Sequence, residues 1–141
     1  MFRIVFKAAA VLSLVAAPAF AGGHQIIVEQ WGLNNQIGGG QSGHGQRLSV
    51  IQDGSSNLSI NTQDGWRNRT VVGQSGSNNA VDTQQQGWRN RLGVAQIGSN
   101  NTATVEQTGG RNVTAVVQVG HNNSTGVSQN GHGNVVAIVQ E

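Results

Sequence analysis

Glutamine stands at Gln30, Gln41, Gln52, Gln63, Gln74, Gln85, Gln96, Gln107, Gln118, Gln129 and Gln140, and the interval is eleven residues every time. Two residues after each of the first ten comes glycine: Gly32, Gly43, Gly54, Gly65, Gly76, Gly87, Gly98, Gly109, Gly120 and Gly131. Five after comes asparagine, at Asn35, Asn57, Asn68, Asn79, Asn90, Asn101, Asn112, Asn123 and Asn134, with Gln46 in the remaining place. A side-chain amide donates and accepts hydrogen bonds but does not ionise, so these residues are equipped to hold structure together rather than to move protons. In parallel, in-register stacking each amide can bond the identical amide one level away. Such a ladder satisfies buried groups that would otherwise cost about 1–3 kcal/mol each.

The ionisable residues show no comparable arrangement. His24, His44, His121 and His132 lack a metal-ligand spacing, and the chain has no Cys. Asp53, Asp64 and Asp82 fall in different repeats or faces, without the logic of a paired-carboxylate site. No Ser, His and Asp come together as a triad, and Gly38-Gly39-Gly40 lacks the Lys-Ser/Thr of a phosphate loop. The expectation is a protein with no catalytic residues, no metal site and no cofactor, hence not an enzyme.

The amides need strands to position them. From Asn90 to Gln96, the residues Asn90, Leu92, Val94 and Gln96 alternate onto one face, which is the period of a strand. The four residues that follow, Ile97-Gly98-Ser99-Asn100, read as the turn, with Gly supplying positive φ and Asn tolerating it. Gly and Asn at this density would be costly in helices. The predicted strands are 24–30, 35–41, 46–52, 57–63, 68–74, 79–85, 90–96, 101–107, 112–118, 123–129 and 134–140. A longer period of twenty-two lies above the first: Gly-Trp-Arg-Asn-Arg follows Gln63 and Gln85, whereas Gly-Ser-Asn-Asn follows Gln74 and Gln96. Two units therefore make one rung. The predicted fold class is all-β: an amyloid-like β-solenoid of strand-turn-strand rungs, with two facing parallel sheets.

Two segments are expected. Residues 1–21 read as a secretory signal peptide: Arg3 and Lys7, an apolar run from Ala8 to Phe20, then Ala19-Phe20-Ala21. Residues 22–141 form the solenoid, with no membrane span. Arg3 and Lys7 supply the net charge of +2, so the remainder balances six Arg against six acids. Near-neutrality leaves little electrostatic resistance to self-association. The single Pro is Pro18, so every solenoid residue keeps its backbone donor.

The motif resembles the curlin repeat of bacterial curli fibres, S-x5-Q-x-G-x2-N-x-A-x3-Q. Asn79, Gln85, Gly87, Asn90, Leu92 and Gln96 follow that layout, with Asn for the opening Ser and Leu for Ala. The resemblance extends over 24–141. It implies a subunit of an extracellular amyloid fibre at the cell surface, used in adhesion and biofilm. It also implies a nucleator subunit and an outer-membrane export pore as partners. The Gly-rich leader of the major subunit is missing, but the last repeat, Asn134 to Gln140, is regular rather than basic and irregular. The reading is therefore the polymerising subunit, with the nucleator or a monomeric glycan-binding solenoid adhesin as alternatives. A flat ice-binding Thr array is not present, since Thr102 and Thr104 stand alone.

The alternation places Ile26, Val28, Leu48, Val50, Thr70, Val72, Leu92, Val94, Thr114, Val116, Val136 and Ile138 inward in one sheet. Ile37, Val81, Ala103, Val105 and Val127 point inward in the other. At 57–63 the parity breaks, with Ser59 and Asn61 inward and Leu58 and Ile60 outward. Together with Gly38-Gly39-Gly40 this predicts weaker N-terminal rungs, with a change of register there left open. Neither end carries a polar cap, so each is expected to template a further copy, making the protein its own partner in a homopolymer. Arg67, Arg89 and Arg111 form one column of like charge and Arg47, Arg69 and Arg91 another, beside Trp66 and Trp88. This edge is the candidate site for an anionic partner, a polysaccharide or extracellular DNA.

Overall fold

The structure, a computed structural model, describes residues 2–7 and 23–141. The signal-peptide reading lies outside the described residues except for Phe2–Lys7, which runs as strand β1 parallel to β2, with Phe6 opposite Gln30.

Eleven strands follow at the sequence period: β2 (Gln25–Leu33), β3 (Gln36–His44), β4 (Arg47–Ser55), β5 (Leu58–Trp66), β6 (Arg69–Ser77) and β7 (Ala80–Trp88). The remainder are β8 (Arg91–Ser99), β9 (Thr102–Gly110), β10 (Val113–His121), β11 (Ser124–His132) and β12 (Val135–Gln140). Even-numbered strands after β1 stack in the order β2-β4-β6-β8-β10-β12, and odd-numbered ones in the order β3-β5-β7-β9-β11. Every pairing among β2 to β12 is parallel and joins residues twenty-two apart, as in Gln52↔Gln74 and Gln63↔Gln85. The fold is all-β, a solenoid with about 22 residues per rung.

The strands differ from expectation at both ends. Each begins one residue later than predicted, and β2 to β11 run three residues past their Gln, through the glycine, so these ten are nine residues long rather than seven. The reason lies in the backbone. The glycines two places after Gln have φ between 100° and 123°, and bend the strand without leaving the ladder. A Cβ on any of Gly32 to Gly109 in this column would sit 1.8–2.1 Å from the carbonyl oxygen of the glycine one level on. These positions thus need glycine for close approach as well as for φ. The corner itself lies two residues later, where Asn34, Ser56, Arg67, Asn78, Arg89, Asn100, Arg111 and Asn122 adopt φ of 55–60°. Each corner from Ser56 on still donates to the level before, as Asn78 N does to Ser55 O at 3.0 Å.

The core is thin. Val28, Leu48, Val50, Val72, Leu92, Val94 and Val116 from one sheet meet Ile37, Val81, Ala103, Val105 and Val127 from the other. Thr70 and Thr114 are buried among them, and Ile26, Val136 and Ile138 are partly buried against the cluster at its two ends. The parity break at β5 occurs without a change of register. Ser59 and Asn61 are buried while Leu58 and Ile60 face out. Asn61 Nδ2 donates to Ser59 Oγ at 2.8 Å and Thr83 Oγ1 donates to Asn61 Oδ1 at 2.7 Å. β3 pairs with β5 over all nine residues, Gly38-Gly39-Gly40 included.

Candidate functional site: amide ladders and a basic edge

The glutamines form two continuous chains of hydrogen bonds along the solenoid. In one sheet each Nε2 donates to the next Oε1 from Gln30 through Gln52, Gln74, Gln96 and Gln118 to Gln140, at 2.7–3.0 Å. In the other the sequence is Gln41, Gln63, Gln85, Gln107 and Gln129, at 2.5–2.9 Å. From Gln52 onward, a further N–H of each amide crosses the core to a main-chain carbonyl of the facing sheet, as Gln85 Nε2 does to Arg69 O at 3.2 Å. One side chain thereby ties its own strand to the next level and to the opposite sheet. Except at half-buried Gln41 and Gln140 the ladders are buried, so their bonds form where water cannot substitute.

The asparagines work differently from the amide-to-amide ladder expected. Asn68 Oδ1 accepts the backbone N–H of Asn90 at 3.0 Å, and Asn90 Oδ1 that of Asn112 at 3.0 Å. Asn68 Nδ2 donates to Asp64 O at 2.9 Å and to Gly87 O at 3.0 Å. Among the described residues, amide-to-amide asparagine bonds occur only in the other column, at Asn57–Asn35 and Asn79–Asn57. The short side chain reaches back over its own turn, which is what a turn clamp requires. Gln46 shows the cost of one more methylene: its Oε1 is buried without a partner. Three connections escaped the sequence reading, one of them Thr125 Oγ1 between Gln118 and Gln140. Thr70 Oγ1 bridges Gln63 and Gln85, and Thr114 Oγ1 bridges Gln107 and Gln129, lacing one sheet's threonines into the other's ladder. The signal was visible as Thr among otherwise apolar inward positions.

The six Arg from Arg47 to Arg111 lie along one edge, where the odd-numbered strands turn into the next even-numbered ones. Arg47, Arg69 and Arg91 stack in register. The Arg67 guanidinium lies 4.3 Å from the Trp66 ring, Arg89 lies 5.2 Å from Trp66 and 5.9 Å from Trp88, and Arg111 lies 4.9 Å from Trp88. The rings thus separate charges that would repel by about 1 kcal/mol in water at rung spacing. Gly110 completes the column. A Cβ there would meet Trp88 Cε2 at 2.4 Å, so the missing side chain leaves the seat into which Trp88 folds, edge-on to His132 at 6.0 Å. Arg47, Arg67, Arg69, Arg89 and Arg91 border a cleft of about 480 Å³ with His44 and Asn68, and no acid lines it. Among the described residues no three His, Asp or Glu side chains converge as metal ligands.

Curlin-associated repeats are matched at residues 76–109 and 98–131. This is a curlin-repeat protein. The matched span covers β7 to β10 and most of β11, where ladders, glycine column and corners are all regular. No curated protein matches the chain. The curlin-repeat family and the solenoid are structural rather than catalytic in character, and the family's curli-type fibres are extracellular. No helix among the described residues is long and apolar enough to cross a membrane.

Proposed function

We propose that this curlin-repeat protein is the polymerising subunit of an extracellular amyloid fibre that serves adhesion and biofilm matrix. It would be secreted behind the leader at 1–21 and pass an outer-membrane pore, with a nucleator subunit starting growth. The observation that supports this best is the state of the solenoid ends. Among the described residues the Gln ladders run to the last strand of each sheet, Gln129 in β11 and Gln140 in β12, each with a spare N–H, and β12 exposes Val135 and Val139 at 73% and 69%. An unpaired strand edge recruits another strand, and a heterologous contact that does not close makes a filament. Incubating residues 22–141 tests this. Dye-binding fibrils with reflections near 4.8 Å and 10 Å are expected; a monomer that stays soluble for days would favour the adhesin reading.

The basic cleft favours a second activity. Five guanidiniums without a lining acid fit a polyanion, and the registered Arg columns advance by one rung of about 4.8 Å, close to the length of one sugar in an extended acidic polysaccharide. Retention on heparin resin at low salt should disappear when these Arg are replaced by Gln. Equal retention of the replaced protein would remove the reading, and preference for DNA resin would change the partner.

A further inference from the structure

The eleven strands β2 to β12 divide unevenly, six in one sheet and five in the other. A chain of residues 22–141 therefore ends half a rung out of phase with its beginning. Two ways of adding a copy follow. If the next copy keeps its orientation, its β2 lands on β12, and a strand place stays empty between β11 and the incoming β3. If it is rotated by half a turn about the fibre axis, its β2 lands on β11 and its β3 on β12, and both sheets continue without a gap.

The ladder ends distinguish the two. At the N-terminal end, the Oε1 atoms of Gln30 and Gln41 have no hydrogen-bond donor among the described residues, and both are buried, that of Gln30 with β1 lying over it. One N–H of each donates to Gln52 or Gln63, so the ladder at this end runs out on its acceptors. At the C-terminal end the polarity is opposite. Gln129 Nε2 donates to Val113 O and Gln140 Nε2 to Ser124 O, both at 3.2 Å, and each amide retains a second N–H. Two orphan acceptors thus face two spare donors. Rotation aligns both pairs, Gln129 with Gln30 and Gln140 with Gln41 of the incoming copy. The unrotated arrangement joins only Gln140 to Gln30 and leaves the other pair unmade. Buried amides without partners are costly, and so is an unfilled strand place. The edge of β2 accepts a parallel strand in register, since β1 lies along it in the full-length chain.

We infer that successive copies stack with a half-turn between them, so that each copy's six-stranded sheet continues its neighbour's five-stranded one. The inference rests on the fibre-forming reading above. One copy fills five and a half levels, which advances the filament by about 26 Å. The Arg–Trp edge then alternates from one side of the filament to the other.

The chain has no Cys, so introduced pairs report cleanly. In fibres of residues 22–141, the half-turn sets position 29 directly over position 128 of the neighbouring copy, at a separation a disulfide can span. The unrotated stack sets position 29 over position 139. Oxidised fibres of Glu29→Cys with Ser128→Cys should run as ladders of multimers on a denaturing gel, and those of Glu29→Cys with Val139→Cys as monomers. The reverse result, or monomers from both pairs in fibres that show cross-β diffraction, overturns the half-turn while leaving the fibre intact. Absence of fibres from the unsubstituted chain removes both. A second pair of variants guards against misfolding. Gly120 and Gly131 share a φ of 106° and 111°, and a Cβ on either meets no backbone overlap within the chain. Under rotation Gly131 lies beneath Gly32 of the next copy, whereas in fibres of residues 22–141 no residue continues the column directly above Gly120. Gly131→Ala should slow seeded elongation at least ten-fold relative to Gly120→Ala. Equal rates would contradict the half-turn.

Discussion

The solenoid can be compared with itself at two levels of the same sheet. In β9, Ala103 and Val105 fill the core between the strands above and below. In β3 the matching inward places hold Ile37 and Gly39, and a void of about 30 Å³ opens beside Gly39, bordered by Ile26, Val28 and Leu48. One level on, β5 buries Ser59 and Asn61 where β9 has apolar side chains. Yet β3 and β5 hold the same nine-residue register as β7 and β9. What the two levels share is not the apolar core but the Gln41–Gln63 and Gln85–Gln107 bonds and the glycine column. Register is therefore set by the amides and the close glycine contacts, while apolar burial governs how firmly each level is held.

That division of labour can be broken in order of effect. Gly87→Ala should be the most damaging, because its Cβ would lie 2.0 Å from Gly109 O at a φ of 114°. Separating two rungs should cost more than about 4 kcal/mol, read as loss of fibres or as collapse of hydrogen-exchange protection from β5 to β9. Gln85→Ala should follow. It strands Gln63 Nε2, Thr70 Oγ1, Arg69 O and Gln107 Oε1, for a loss of about 3 kcal/mol. The same change at half-buried Gln41 should cost about 1 kcal/mol, since it has only one level beneath it. Equal denaturation midpoints for the two would refute the view that ladders carry the middle of the molecule. Trp66→Ala should cost about 1 kcal/mol through its contacts with Arg67 and Arg89, with a deficit that shrinks as salt screens the exposed Arg column. Gly40→Val, at a site where a Cβ meets nothing within 4 Å, should stabilise the first rung by about 0.5–1 kcal/mol. Gly39→Ala next to it should do the reverse, because its Cβ would lie 1.8 Å from Asn61 O.

Much of this was legible because the period is unbroken. The strand assignment, the two-sheet alternation and the inward residues, down to the Ser59–Asn61 exception, follow from counting in twos, elevens and twenty-twos. What counting could not supply were facts of the third dimension. The strands outrun their Gln because glycine at φ near 110° keeps the ladder going, whereas sequence logic puts the turn at the glycine. Arg67, Arg89 and Arg111 take left-handed corners for which their residue type gives no hint. The Asn column bonds main chain because its side chain is one methylene shorter than Gln, and Gly110 is a seat for a ring twenty-two residues earlier in the chain.

The central claim is that residues twenty-two apart lie directly over one another. Thr62 and Gln84 are both exposed and are register partners in β5 and β7, whereas Gly73, eleven residues from each, belongs to the opposite sheet. Spin labels on Cys at 62 and 84 should show strong exchange broadening, diluted with unlabelled chain so that only contacts within one copy count. Labels at 62 and 73 should show none. Exchange between 62 and 73, or its absence between 62 and 84, would contradict the account.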